Sequence, residues 1–245
     1  MPSLAPWQWG LGALCAFMVG VAKTGLPGLG ILVIPLMVLA VGDARLSAGW
    51  LLPILCAADV FAIFYFRRHA AAGRLFSMAP WVVVGMLAGA FALGMAERIL
   101  RVVVALIIVV MLGIALVRRY NKAPPTEAKL AAAAYGAAAG FATTVANAAG
   151  PVMNAYLLTH RLPKQEFVAT GAWFFFAVNL LKVPVYLWHG LFSASSLAFD
   201  AALVPAIALG ALTGRALMMR VPQRLFEFLV IVLTVISTAL LFLPK

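Results

Sequence analysis

The apolar runs of this chain are long, continuous and separated only by short polar breaks, and that pattern restricts the fold more than any other property. They fall near residues 7–22, 25–41, 48–66, 75–95 and 98–118, then 129–145, 148–160, 167–188, 196–217 and 223–243. A helix needs about 20 such residues to cross the hydrocarbon core, whereas barrel strands would alternate apolar and polar over about 10. No such alternation occurs. With 65% hydrophobic and 10% charged residues, the chain cannot be folded around one soluble core, so the expected class is an all-α polytopic membrane protein held in the lipid bilayer. The first basic residue is Lys23, so the charged leader of a cleaved signal peptide is missing and the first apolar run is expected to stay in the mature protein. No appended soluble domain is expected. Cys15 and Cys56 lie in predicted spans and read as free thiols acting as small apolar side chains.

Two of the runs are broken at glycine-rich stretches, GVAKTGLPGLG over Gly20–Gly30 and GFATTVANAAG over Gly140–Gly150. Interrupted hydrophobic segments at matching places in the two halves of a chain point to a transporter's binding site. An offset of 120 takes Gly20 to Gly140, Thr24 to Thr144, Gly30 to Gly150, Asp59 to Asn179 and His69 to His189. After a small insertion around Ser193 to Ser196, an offset of 125 takes Gly85 and Gly89 to Gly210 and Gly214. The matches keep the segment order and predict an internal duplication. Transmembrane repeat 1 would cover 1–120 and repeat 2 would cover 121–245, both within one integral membrane domain. The polar, Pro-containing linker VRRYNKAPPTEAK marks the boundary.

Basic residues set the expected orientation. The loops with Arg67, Arg68 and Arg74, with Arg118, Arg119, Lys122 and Lys129, with Arg161 and Lys164, and with Arg220 and Arg224 fall on one side; Arg45, Arg98, Arg101 and Lys245 fall on the other. The richer side is cytoplasmic by the positive-inside rule, which places both termini outside the cell membrane. Five segments per repeat is an odd number, so the second repeat enters from the opposite face and the repeats are inverted. The first two segments of each repeat are short, and are read either as two crossings or as a re-entrant hairpin folded at the glycine break. Parity is the same in both cases.

Ionisable residues inside a bilayer cost about 2.5–3.5 kcal/mol each at a helix centre, which makes them functional candidates by default. Lys23, Asp59 and Lys182 stand out. Lys23 falls in the first break beside Thr24, Gly25 and Gly28, where unwound backbone and helix N-termini suit a small oxyanion. Its alternative is a lysine that snorkels to water or caps a helix. Lys182 follows Asn179 on the same helix face and precedes Pro184, which loosens the local hydrogen-bond ladder; it is read as a binding residue or as one that snorkels outward. Asp59 is the counterpart of Asn179 and is the candidate carrier of a coupled proton, or else a counter-ion to Lys23 or Lys182. Thr143, Thr144, Asn147 and Asn154 supply neutral donors at the second break, although such residues also bond across helices. Trp173 is placed on the side of Asn179, as a wall of the site.

Gly85 with Gly89, Gly136 with Gly140 and Gly210 with Gly214 are spaced for close helix packing. Catalytic motifs are missing: no H-E-x-x-H, G-x-S-x-G or C-x-x-C occurs. GLPGLG lacks the Gly-Lys-Ser/Thr ending of a phosphate loop. His69, His160 and His189 end helices and are assigned no metal, and no cofactor is expected. The net charge of +11 is split among short loops, which argues against nucleic acid as a partner and favours approach of anions from the cytoplasm. A homo-oligomer is compatible with the sequence.

The segments GVAKTGLPGLGILVIPLMV, GFATTVANAAGPVMNAYLL and FVATGAWFFFAVNLLKVPVY resemble the TauE/SafE family of sulfite and organosulfur-anion exporters, over nearly the whole chain. The resemblance implies a secondary transporter that moves small sulfur-containing anions such as sulfite, sulfoacetate or thiosulfate outward. Alternating access around a midplane anion site is the mechanism expected. Two other readings stand beside it: a membrane assembly or maturation factor that binds a partner protein, and a passive anion channel.

Overall fold

The computed structural model describes residues 4–92, 94–121 and 128–242. Residues 122–127 of the linker, with Lys122, and the terminal Lys245 lie outside the described residues, as do the side chains of Arg101 and Arg119. Among the described residues the elements are helical. α1 runs over Pro6–Thr24, α2 over Val33–Val41, α3 over Ala44–Phe66, α4 over Ala72–Ala92 and α5 over Glu97–Tyr120. Then come α6 over Ala128–Ala146, α7 over Ala149–Thr159, α8 over Lys164–Trp188, α9 over Ala194–Ala202, α10 over Val204–Arg220 and α11 over Gln223–Phe242.

Local chemistry sets many of these ends. Pro6 opens α1, where its missing N–H costs nothing, and the Gln8 side chain accepts the Ala5 N–H at 2.8 Å. Asp43 caps α3 by accepting the Leu46 N–H at 2.7 Å. Gly42 ends α2 at φ 82°, a left-handed conformation that a Cβ would oppose. The expected segment 196–217 is divided: it bends by 43° between α9 and α10 at Leu203, where Pro205 at the start of α10 offers no N–H to the preceding turn.

Five stretches are long and apolar enough to cross a membrane, Arg45–His69, Ala72–Ala92, Arg98–Arg118, Lys164–Trp188 and Gln223–Leu240, and the bent pair α9–α10 would be a sixth. The protein is therefore a multi-pass helical membrane protein. α1 and α6, which the sequence reading also treats as spans, are not among them. α6 is made largely of Ala with Gly and Thr, and α1 carries Pro6, Gln8 and Lys23 beside its glycines, so both are weaker in hydropathy.

The chain forms two compact units, one of Met1–Ala70 with Val168–Pro222, the other of Ala71–Phe167 with Gln223–Lys245. Each unit draws on both halves of the sequence. In the first, α1 lies on α10 with backbones almost touching: a Cβ on Gly20 would run into the Ile207 carbonyl, and one on Gly210 into the Phe17 carbonyl. In the second, α6 lies on α4 in the same way, with Gly140 against the Val82 carbonyl and Gly85 against the Ala137 carbonyl. The offsets of 120 and 125 carry the first set of contacts onto the second, residue for residue. Thr24 and Thr144 also match: each hydroxyl donates to the carbonyl four residues back, Gly20 at 2.9 Å and Gly140 at 3.0 Å.

Candidate anion site

Three helices of the first unit bring together the ionisable residues singled out in the sequence. Lys23 stands in the last turn of α1, which stays helical through Gly20 to Thr24, so the break begins only at Gly25 and Lys23 lies on helix, not on the unwound backbone expected there. Gly28, at φ 109°, turns the chain in a conformation suited to glycine. Asp59 comes from α3, and Asn179 and Lys182 come from α8.

The Lys23 ammonium reaches Asp59 Oδ1 at 2.7 Å, and the Asn179 amide donates to Asp59 Oδ2 at 2.9 Å. The carboxylate is fully buried and the Lys23 side chain is 13% exposed. That ammonium also sits 4.3 Å from the centre of the Phe175 ring, a distance at which the ring quadrupole attracts a cation. Lys182 is buried, 8% exposed, and interacts electrostatically with Lys23 and Asp59. The formal charges are two ammoniums and one carboxylate. The carboxylate holds one ammonium close, and with both lysines protonated and the acid ionised the cluster has a formal excess of one positive charge. Pro184 lies inside α8 and withholds an N–H from the Leu180 carbonyl, two residues before Lys182.

Trp173 does not face this cluster. It is 39% exposed and meets Phe176 edge-on, because at about 100° per residue positions 173 and 179 lie well apart around a helix. Phe175 takes the place expected for Trp173. Its signal was present in the spacing: Phe175, Asn179 and Lys182 follow an i, i+4, i+7 stripe on one face.

The remaining candidates are placed as follows. Thr24 is fully buried and spends its hydroxyl on the Gly20 and Ala211 carbonyls, at 2.9 and 2.8 Å. Gly25 lies against the Gly214 backbone, so its smallness serves helix packing. In the second unit, Thr143 is buried, and Thr144 donates back to Gly140. Asn147 adopts φ 53° at the break between α6 and α7, a left-handed conformation that asparagine tolerates. Asn154 is buried and donates to Thr234 Oγ1 at 3.1 Å, joining α7 to α11. Asp200 of α9 was missed, although an ionisable residue in a predicted span is the very signal that singled out Asp59.

The fold is that of a multi-pass helical membrane protein, and within its first unit Lys23, Asp59, Asn179 and Lys182 form one polar cluster. The chain belongs to the sulfite exporter TauE/SafE family, whose sequence profile matches residues 12–241. No curated protein matches the chain, and no solved structure does. The family's members are membrane transporters of the sulfite-exporter type, and the multi-pass helical architecture agrees with that membership.

Proposed function

We propose that the protein exports small sulfur-containing anions, of the sulfite, sulfoacetate or thiosulfate class, and that Lys23, Asp59, Asn179 and Lys182 form the binding site. The observation that carries this reading is a half-buried Lys23 and a buried Lys182 grouped with one fully buried carboxylate within a chain of this family. In the resting arrangement Asp59 acts as an internal anion on Lys23. An incoming oxyanion competes for that ammonium and draws on Lys182, which supplies the positive charge that Asp59 leaves over. Charge-assisted hydrogen bonds of this kind are roughly twice as strong as neutral ones.

Asp59 is then the candidate for a coupled proton, since protonation would free Lys23 for the substrate. The glycine break with Gly25 and Gly28 gives the end of α1 the freedom to rearrange. The two repeats, 1–120 and 121–245, would be inverted, with both termini outside a bacterial inner membrane and access alternating between the faces. The matched Gly20 and Gly140 packings support such a duplication. Outward movement is favoured by an interior-negative potential, at about 2.3 kcal/mol per charge for each 100 mV.

The test is electrical. Protein reconstituted in vesicles on a solid-supported membrane is challenged in turn with sulfite, thiosulfate, sulfoacetate and sulfate. A transient current with at least one of the first three, larger than with sulfate, is expected. Silence with all of them defeats the substrate assignment.

A further inference from the structure

A second buried carboxyl stands apart from the Lys23–Asp59 pair. Asp200 lies three residues before the bend at Leu203 and is 5% exposed. Neither of its side-chain oxygens has a hydrogen-bond partner. Its surroundings in the chain are apolar: Phe199 on α9 and Leu203 at the bend belong to a cluster with Cys15, Val19, Met37 and Ile54. The Phe199 ring is held between Trp9, at 4.8 Å, and Trp50, at 5.1 Å.

The contrast with Asp59 is chemical. Asp59 has an ammonium on one oxygen and an amide on the other. The elements packed around α9 do carry ionisable groups: Cys15 and Lys23 on α1, Arg45, Cys56, Asp59 and Tyr65 on α3, Arg215 and Arg220 on α10. None of them bonds or pairs with Asp200. Arg215 instead lies over the Tyr65 ring, 4.8 Å from its centre. Burying a carboxylate ion with neither donor nor counter-charge is far more costly than burying the neutral acid, whose single O–H is an ordinary polar group.

We propose that Asp200 is a proton-binding site, separate from the Lys23–Asp59 cluster, and that it holds its proton in the conformation described here. Phe199 packs against Gly12, and from Gly12 to Lys23 α1 rises about 16 Å, so the two carboxyls occupy different levels of the same unit. The bend at Leu203 gives the site a joint. Motion there that admits water to Asp200 lets the acid release its proton to that water and remain as the carboxylate; reburial takes a proton back. On the transport reading, on which this step alone rests, a cycle that wets and reburies Asp200 moves one proton.

The proton site is tested without any transported anion. The full-length protein in lipid nanodiscs is treated with N,N′-dicyclohexylcarbodiimide, which adds a protonated carboxyl across its C=N bond to leave an N-acylurea, and the adducts are mapped by peptide mass spectrometry. Asp200 should be modified on the order of tenfold more than Glu166 or Glu227, with the adduct lost in the near-isosteric Asp200→Asn. Infrared difference spectroscopy of the same two proteins decides if the reagent fails to reach the site. Loss of a protonated-carboxyl carbonyl band in Asp200→Asn supports the proposal; an unchanged band overturns it, whatever the labelling shows. Either result leaves the sulfite currents to be judged on their own.

Discussion

Asn179 donates its side-chain amide to Asp59 at 2.9 Å, and the two residues stand 120 positions apart, the same offset that relates the matched glycines Gly20 and Gly140. The pair is chemically unequal. One partner is a carboxylate that needs a cation and the other is an amide that does not.

That inequality can be exchanged. Asn179→Asp alone would set two carboxylates within hydrogen-bonding distance and should destabilise the protein by about 1–3 kcal/mol. Combined with Asp59→Asn, the carboxylate–amide pair is restored with its ends reversed, and much of the loss should return. Thermal unfolding in detergent measures both. A double variant as unstable as the single one would show that the pair's own contact is not what matters.

Lys23 tests the ion pair. Its removal in Lys23→Ala leaves a fully buried carboxylate without its cation, and breaking a buried pair from one side typically costs about 3–5 kcal/mol. Adding Asp59→Asn removes the orphaned charge and should recover most of that loss. Additive losses in the double-mutant cycle would mean that the two groups are not coupled.

Much of this arrangement was legible in the sequence, because membrane spans are long and charge inside them is rare. The positions of the helices, the two breaks and the three ionisable residues Lys23, Asp59 and Lys182 all follow from those two facts. What the sequence could not supply was how each polar group is used. Thr24 and Asn154 look like donors for a ligand, yet their atoms are engaged by the Ala211 carbonyl and by Thr234, partners 187 and 80 residues away that no local pattern discloses. On α8 the i, i+4, i+7 spacing puts Phe175, and not Trp173, on the face of Asn179 and Lys182.

Thr24→Val separates packing from binding. If the hydroxyl serves only the α1–α10 contact, its loss should cost about 1 kcal/mol in stability and leave the anion concentration at half-maximal current unchanged. A large shift in that concentration would return Thr24 to the binding site.

The matched glycines should respond alike. Gly20→Val and Gly140→Val each force a side chain into a neighbouring carbonyl and should each lower stability by about 1–3 kcal/mol or prevent assembly. Gly10→Ala, at a helical position with open space around it, should instead raise stability by about 0.5–1 kcal/mol. Tolerance of valine at either packed glycine would refute the close approach of those helices.

The central claim is that Lys23 and Lys182 hold the transported anion, and the sulfite-evoked current of Lys182→Ala tests it most directly. Wild-type and variant are reconstituted at equal density after thermal unfolding confirms that both are folded. The account predicts that the current is lost in Lys182→Ala and regained in part in Lys182→Arg, which keeps the charge. A Lys182→Ala current equal to wild type would contradict it.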